Sequence, residues 1–432
     1  MVTITRWTGR EARILREVAL RMSIYKFADH TNLSTSTVRD IENKGERAQL
    51  RTSTQKILDE ILAAAGDLAQ ERFASALGLS TLDTADISEV SETSDAPGPG
   101  RSPQAHPIMV SQRSGLVARR WSEGPDVSVT TTNLKKLRAD VDAGHGAYQR
   151  ADYTTAARTL AAVAAASGTF AIRSSGEVQR QAHRILALAH IGVSKLAGKL
   201  GDSALAWVTA DRATAAARLA EDHVMAAAAD YQVACALLGM SDRIADAAEV
   251  AAVSHDELNR HAPSDDPPTM SVRGALLLLA AIVSARQGDG ACATSHLADA
   301  QRVAAGLGHD GNHLFTAFGP TNVRIHQVSV AVELHRPRQA ISLGDELDTS
   351  RMPAVLLGRR AQVHLDLAAA FAHSGSGDAP AVLHLLEAER IAPQFVGASH
   401  RCRVLLTQLL SRERRSATPG LRGLAQRAGV PA

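Results

Sequence analysis

The chain has 432 residues, which is too long for one ordinary hydrophobic core and predicts two or three domains. Aromatic residues make up only 3% while hydrophobic residues reach 45%, so most apolar side chains are Ala, Leu and Val, and this favours packed helices over sheets. A net charge of +2 excludes a polybasic nucleic-acid coat. The three cysteines are far apart, with no C-x-x-C pair, and are most simply free thiols of a reducing cytosol.

Two short helices are predicted near the start of the chain. The first spans residues 9–20, with Thr8 as its N-cap. Its apolar stripe is expected to consist of Ile14, Leu15 and Val18. The second spans residues 24–31, with Ser23 as its N-cap. Its inward side is expected to consist of Ile24, Phe27 and Ala28.

A third helix is predicted over residues 35–43, with Ser34 as its N-cap and Gly45 as its C-terminal cap. Val38 and Ile41 are expected to point into the core. A fourth helix is predicted over residues 54–65, and its buried side chains are expected to be Ile57, Leu58, Ile61 and Leu62.

The segment 23–45 reads S-x-x-x-F-A-x-x-x-N-L-S-x-x-T-V-x-x-I-E-x-x-G. This pattern resembles the helix-turn-helix of phage-repressor type, the Cro/CI or XRE family, over residues 8–66. The positions in register are Ser23, Phe27, Ala28, Leu33, Ser34, Thr37, Val38, Ile41, Glu42 and Gly45. Asn32 stands where glycine is usual, and Asn tolerates the positive φ of such a turn.

The resemblance implies that the third helix enters the DNA major groove by its N-terminal half. The residues expected to contact DNA are Ser34, Thr35, Ser36, Thr37, Arg39, Asp40, Lys44 and Lys26. Arg39 is the candidate for a bidentate contact to guanine, whereas Lys26 and Lys44 are candidates for phosphate contacts, together with Arg13, Arg21 and Arg47. Asp40 either accepts from a cytosine or orients a neighbouring cation, and Glu42 is expected to hold the turn.

Residues 1–65 carry 11 Lys or Arg against 8 Asp or Glu, a balance that permits DNA binding without requiring it. The alternative is a helical head without a DNA-reading role.

A flexible linker is predicted over residues 80–130, between a DNA-binding domain at 8–79 and a second domain at 131–430. Residues 80–107 are rich in Ser, Thr, Asp, Pro and Gly and contain almost no large apolar side chains. Trp121 either anchors a short docking helix or lies in the linker as a single apolar patch.

From Leu134 onward, helices and short turns alternate. Turn signals recur every 40 to 50 residues, at Ala151-Asp152, Gly201-Asp202, Ser241-Asp242, Gly288-Asp289, Arg336-Pro337 and Gly377-Asp378. Residues 146–160 resemble a tetratricopeptide repeat (TPR). The predicted fold is therefore all-α, a four- to five-helix lambda-repressor-like domain followed by a TPR-like solenoid. Its concave groove, lined by the first helix of each pair, is expected to bind a peptide or a protein partner; the alternative is that the solenoid only stabilises a dimer.

One segment, residues 309–326, interrupts this regularity. Thr321 is expected to cap a new helix after a Gly-Pro turn, with Asn322, Arg324 and His326 as candidate ligand-binding residues at its start. We expect Asn322 and Arg324 to face the groove; the alternative is that the turn only joins two helices. W-T-G-R-E at residues 7–11 and F-G-P-T-N at 318–322 make the whole chain resemble actinobacterial regulators with a repressor-type head and a TPR-like body.

No motif favours an enzyme, a cofactor or a metal site. G-V-S-K-L-A-G-K-L at residues 192–200 has the wrong spacing for a phosphate-binding loop, and no H-E-x-x-H motif occurs. No secretory signal is visible, and the longest apolar runs, near 160–166 and 274–285, are shorter than a membrane span. We expect a cytoplasmic, nucleoid-associated protein.

The main hypothesis is a transcriptional regulator that binds double-stranded operator DNA as a homodimer, with a body that senses a peptide, small molecule or protein. Two alternatives stay open. One is a TPR-like interaction scaffold whose head docks a protein. The other is a phage-type or mobile-element immunity repressor with the same head.

Overall fold

A computed structural model describes residues 7–73 and 131–431 of the chain. The gaps within these ranges are residues 21, 32, 46–47, 49, 51, 66–68, 70–72, 241, 263–264, 376–377 and 414–417. The described residues form nineteen α-helices and no strand, so the prediction of an all-α protein is confirmed. The chain divides into two compact units between Pro99 and Gly100, inside the predicted linker. The linker itself lies outside the described residues. We call residues 7–73 the head and residues 131–431 the body.

Four α-helices form the head. They are α1 (Gly9–Ile14), α2 (Ile24–His30), α3 (Thr35–Lys44) and α4 (Thr52–Ala64). Thr8, Ser23 and Ser34 accept backbone N–H groups at the starts of α1, α2 and α3, as predicted for three N-caps. Thr8 and Glu11 together form a capping box. The local capping chemistry therefore sets where these three helices begin.

The first predicted helix differs from the observed one. After Ile14 the chain enters a wide π-helical turn, Leu15–Ala19, instead of continuing as α-helix. Leu15 and Ala19 consequently face the core, whereas Val18 is 41% exposed. The prediction of Val18 as a core residue was wrong because the wide turn changes which side chains point inward.

The residues of the W-T-G-R-E motif hold the head together. Trp7 is buried, its indole N–H donates to Asp59 Oδ1 on α4 at 2.7 Å, and its ring lies 5.5 Å from that of Phe73. A Cβ atom on Gly9 would lie 1.9 Å from the carbonyl oxygen of Ile41 on α3. Only glycine permits this close approach of α1 to α3.

Fifteen α-helices of the described residues form the body. They are α5 (Thr131–Gln149), α6 (Tyr153–Ile172), α7 (Gly176–Lys199), α8 (Ser203–Leu219), α9 (His223–Leu238), α10 (Ile244–His261), α11 (Pro267–Arg286), α12 (Gly290–Leu307), α13 (Pro320–Glu333), α14 (Pro337–Asp345), α15 (Leu357–His373), α16 (Asp378–Ile391), α17 (Pro393–Ala398), α18 (His400–Ser411) and α19 (Leu421–Arg427). The turns predicted at Ala151-Asp152, Gly201-Asp202 and Gly288-Asp289 each lie directly before a helix, as expected.

Tight turns between the helices have a common chemistry. Ala151, Gly201, Glu221 and Gly288 have positive φ, and each is followed by an aspartate whose side chain caps the next helix. The predicted signals at residues 241–242 and 377–378 lie partly outside the described residues. Recurrence of this turn gives the body its regular sequence of helices.

The body helices form an inner and an outer series. Each helix from α5 to α16 packs against its successor, and the odd-numbered helices from α5 to α15 also contact one another in order. The chain then curves back on itself, because one hydrophobic core joins Leu196 and Leu205 of α7 and α8 to Leu385, Phe395 and Leu424 of the C-terminal helices. A cavity of about 300 Å³ lies against the inner helices α5, α7, α9 and α15.

Two helices of the body, α6 and α11, are long and apolar enough to cross a membrane by length and composition alone. They contain the apolar runs noted in the sequence, but the helices themselves are 20 residues long. The most apolar windows of α6 and α11 are 39% and 72% buried within the protein. Phe170 of α6 and Leu276 of α11 lie in one hydrophobic core, so packing gives a reason for this composition.

Candidate functional site

The N-terminus of α3 carries a cluster of hydroxyl groups. Ser34 Oγ accepts the backbone N–H of Thr37 at 3.1 Å, and lies 2.8 Å from Ser36 Oγ and 2.7 Å from Thr37 Oγ1. The side chains of Ser34, Ser36 and Thr37 are exposed, whereas Thr35 is half-buried. The first turn of α3 therefore presents hydroxyl groups and backbone N–H groups to solvent, a combination that suits phosphate or base-edge contacts.

One exposed stripe runs along the outer side of α3. Ser36, Arg39, Asp40 and Asn43 follow the i, i+3, i+4, i+7 spacing of a single helix face, and all four are exposed. Val38 and Glu42 occupy the opposite, buried face. The sequence correctly placed Ser36, Arg39 and Asp40 outward but overlooked Asn43, which the same spacing would have revealed.

Arg39 of this stripe contacts a residue of α2. Its guanidinium donates to the hydroxyl of Tyr25 at 3.3 Å and lies 5.7 Å from the centre of that ring. Tyr25 is 66% exposed, so its ring lies at the surface beside Arg39. Sequence reasoning missed Tyr25, although the assignment of Phe27 and Ala28 to the core left it facing outward. The contact restricts the directions in which Arg39 can point.

A buried ion pair fixes α3 against the first helical segment. Nε and Nη2 of Arg16 each donate to a carboxylate oxygen of Glu42 at 2.7 Å, and Arg16 also donates to the carbonyl of Met22. These hydrogen bonds to Glu42 raise the pKa of Arg16 above its ordinary value. The expectation that Glu42 holds the turn agrees with this contact, but its partner Arg16 was not foreseen. The pair sets the orientation of α3, on which any contact by the stripe depends.

Three of the remaining candidates for phosphate contacts belong to the described residues. Lys26 and Lys44 are exposed on α2 and α3. Arg13 is half-exposed and lies 3.7 Å from Glu42, so it is partly engaged within the head. Arg21 and Arg47 lie outside the described residues.

The segment 309–326 in the body differs from expectation at its helix start. Helix α13 begins at Pro320, and Asp310 Oδ1 accepts the backbone N–H of Thr321 at 2.9 Å while Oδ2 accepts its hydroxyl at 2.7 Å. The prediction of Thr321 as the cap was wrong, because the capping carboxylate comes from the preceding loop. Phe318 packs directly on Gly274, where a Cβ atom would lie 2.0 Å from its ring.

The three candidate ligand residues of this segment face different surroundings. Asn322 is buried, and its Oδ1 has no hydrogen-bond partner among the described residues. Arg324 is exposed and donates to the carbonyl of Glu346 at 2.6 Å. His326 Nδ1 donates to the carbonyl of Asn322 at 2.8 Å, and burial, with a smaller effect from Arg359, lowers the pKa of His326 to about 3. None of the three lines the cavity of the body.

No protein-family model matches the chain, and no curated protein matches it significantly.

Proposed function

We propose that the protein is a sequence-specific DNA-binding transcriptional regulator whose head is a helix-turn-helix domain of repressor type. The observation that carries this proposal is the stripe of Ser36, Arg39, Asp40 and Asn43 on α3. These side chains supply donors and acceptors at helical spacing on an exposed helix, which is what reading base edges in a major groove requires.

The roles of the individual residues follow from their chemistry. Arg39 donates two parallel hydrogen bonds to a guanine, and Asn43 has the amide that pairs bidentately with adenine. Ser36 contacts base edges, and Asp40 accepts from a cytosine amino group. Lys26 and Lys44 neutralise phosphates on either side of the stripe and fix the register of the head on the duplex.

The body acts in this proposal as a TPR-like solenoid that brings two copies together and senses a ligand. A dimer with two-fold symmetry would bind an inverted repeat, with half-sites about one helical turn of DNA apart. Binding of a ligand to the body would then alter the freedom or the pairing of the two heads. The protein would act in the cytoplasm on the nucleoid, and we include no catalytic step, cofactor or metal.

Selection from random double-stranded DNA with the purified full chain, at two salt concentrations, tests the proposal. We expect enrichment of one inverted repeat that survives the higher salt concentration. Uniform binding that disappears at higher salt, or no binding, would contradict the proposal and favour a scaffold whose head docks a protein. A variant with Ser36, Arg39 and Asn43 all changed to Ala is expected to lose the enrichment. The matched control is Arg302→Ala, which removes an exposed arginine of the body.

A further inference from the structure

The cavity of about 300 Å³ in the body contains an unusual concentration of positive charge. Lys195 and Lys199 approach it from α7, one turn apart, and Arg359 approaches it from α15. Like charges at this spacing on a helix destabilise it, so their presence calls for a reason. Among the described residues that line the cavity there is no Asp or Glu.

The carboxylate whose charge acts on Lys199, that of Asp366, is already engaged. Asp366 accepts hydrogen bonds from Ser329 at 2.6 Å and Gln362 at 3.0 Å, and lies 3.6 Å from Arg401. Among the described residues, the three cations of the cavity therefore have no dedicated counter-charge.

The cations retain hydrogen-bonding capacity. Lys195 uses one of its three donors, toward the carbonyl of Phe315 at 2.9 Å. Lys199 lies 4.6 Å from the ring centre of Phe395, and Arg359 makes no hydrogen bond or ion pair with a described residue. Burial, with an additional effect of the Arg359 charge, lowers the pKa of each lysine to about 8, so both remain mostly protonated at pH 7.

A strained loop forms one wall of the cavity. Leu314, Phe315 and Ala317 all have positive φ, a conformation that is costly for such side chains and that clusters at functional sites. The loop is held in place by a reciprocal pair of hydrogen bonds between Gln149 and Asn312, at 2.9 and 3.0 Å. The Phe315 ring also stacks on His145 with a centre-to-centre distance of 3.9 Å.

We propose that this cavity binds an organic anion, with its carboxylate or phosphate group between Lys195, Lys199 and Arg359. The apolar part of the ligand would lie against the rings of Tyr148, Tyr231 and Phe315, which also line the cavity. The volume is at the small end of the range for small-molecule sites, about 300–1,000 Å³. A free small acid fits this volume, and so does the C-terminal carboxylate of a short peptide.

The proposal that the cavity binds an anion does not depend on the head. The further statement that this anion is the ligand that controls DNA binding rests on the proposed function. Ligand binding is therefore measured without DNA, so that loss of DNA binding and loss of ligand binding remain separate results.

Calorimetric titration of the full chain at pH 7 with phenyl phosphate and with benzoate tests the proposal. Benzamide and benzylamine, which have similar size but no negative charge, serve as controls. We expect saturable binding of the two anions only.

The peptide N-acetyl-Ala-Ala-Phe distinguishes the source of the ligand. If the peptide binds more tightly than benzoate and loses this affinity when its C-terminus is amidated, the natural ligand is a peptide C-terminus. If the peptide binds more weakly than benzoate, the natural ligand is a free small acid.

Variants of Arg359 test the location. Arg359→Gln is expected to weaken binding of phenyl phosphate at least tenfold, whereas Arg359→Lys retains most of it. Without ligand, Arg359→Gln should unfold at the same temperature as the wild type or higher, because it removes repulsion from the cavity. Arg338→Gln, an exposed arginine on α14, is the matched control. Absence of saturable anion binding at millimolar concentration, equal binding of benzamide, or unchanged affinity of Arg359→Gln would overturn the proposal.

Discussion

The head and the body place their charged side chains in opposite ways. In the head, Arg16 and Glu42 neutralise each other in the interior, and the charged residues of the α3 stripe, Arg39 and Asp40, face outward. In the body, three cations line an interior cavity that has no acidic lining residue among those described.

The two proposals assign this difference to two kinds of recognition. A surface stripe on a short helix suits a large, regularly shaped partner such as a DNA groove. A cavity lined by cations suits a small anionic ligand. Changes in each region should therefore have separable effects.

The largest effect is expected for Arg16→Ala in the head. This variant removes both hydrogen bonds of Arg16 to the buried Glu42 and leaves only Arg13, 3.7 Å away, as a counter-charge; breaking a buried ion pair in this way costs about 3–5 kcal/mol. Hydrogen–deuterium exchange of the full chain should show faster exchange throughout α1–α4 and unchanged exchange in the body. Replacing both members, Arg16→Met with Glu42→Leu, should restore most of the protection, and Arg302→Ala should have no effect. Wild-type protection of α3 in Arg16→Ala would contradict the role assigned to the ion pair.

Acidification is expected to destabilise the body. Burial lowers the pKa of His145 to about 3 and that of His190 to about 4, and repulsion from Lys195 and Arg212 adds to this. His326 has a similarly lowered pKa, to about 3. In the unfolded chain these histidines bind protons near pH 6.5, so stability is lost as the pH falls below that value. For His145 the loss should reach roughly 3 kcal/mol at pH 4.

Denaturant unfolding followed by circular dichroism between pH 7.5 and pH 4 checks this pH dependence. His145→Gln should show a shallower loss of stability with acid than the wild type. A stability that stays constant between pH 7.5 and pH 4 would mean that these histidines are not held neutral in the folded protein.

The smallest effect is expected for Lys44→Ala. Loss of one phosphate contact should weaken DNA binding a few-fold at every sequence, and the slope of log affinity against log salt should become shallower by about 0.9. Fluorescence anisotropy at four salt concentrations measures both quantities. Lys136→Ala, which removes an exposed lysine of the body, is the control. A change in base preference in Lys44→Ala would mean that Lys44 contacts base edges in the groove and not the phosphate backbone of the DNA.

The features predictable from the sequence were those set by neighbouring residues. Ser34 and Asp152 each accept the backbone N–H of the residue three positions later, so a cap of this kind involves only a short stretch of sequence. The outward position of Arg39 follows from helical spacing alone. Such features need no knowledge of tertiary structure.

The features that could not be predicted join distant parts of the chain. The Arg16–Glu42 pair spans 26 residues, and the contact of Gly9 with Ile41 depends on how α1 crosses α3. The cavity brings Lys195 to Arg359 through the curvature of the whole body. The sequence directed attention to Asn322 and Arg324 because they begin a helix, whereas the cations that line the cavity are Lys195, Lys199 and Arg359 of two other helices.

The most direct test of the central claim is the base preference of Arg39→Ala at the selected operator. Affinity should be measured for the operator and for each single base-pair substitution within a half-site. We predict a loss of about 1–3 kcal/mol at the operator, together with a relaxed preference at one base pair of each half-site. Binding of Arg39→Ala with the affinity and base preference of the wild type would contradict the assignment of α3 as the DNA-reading helix.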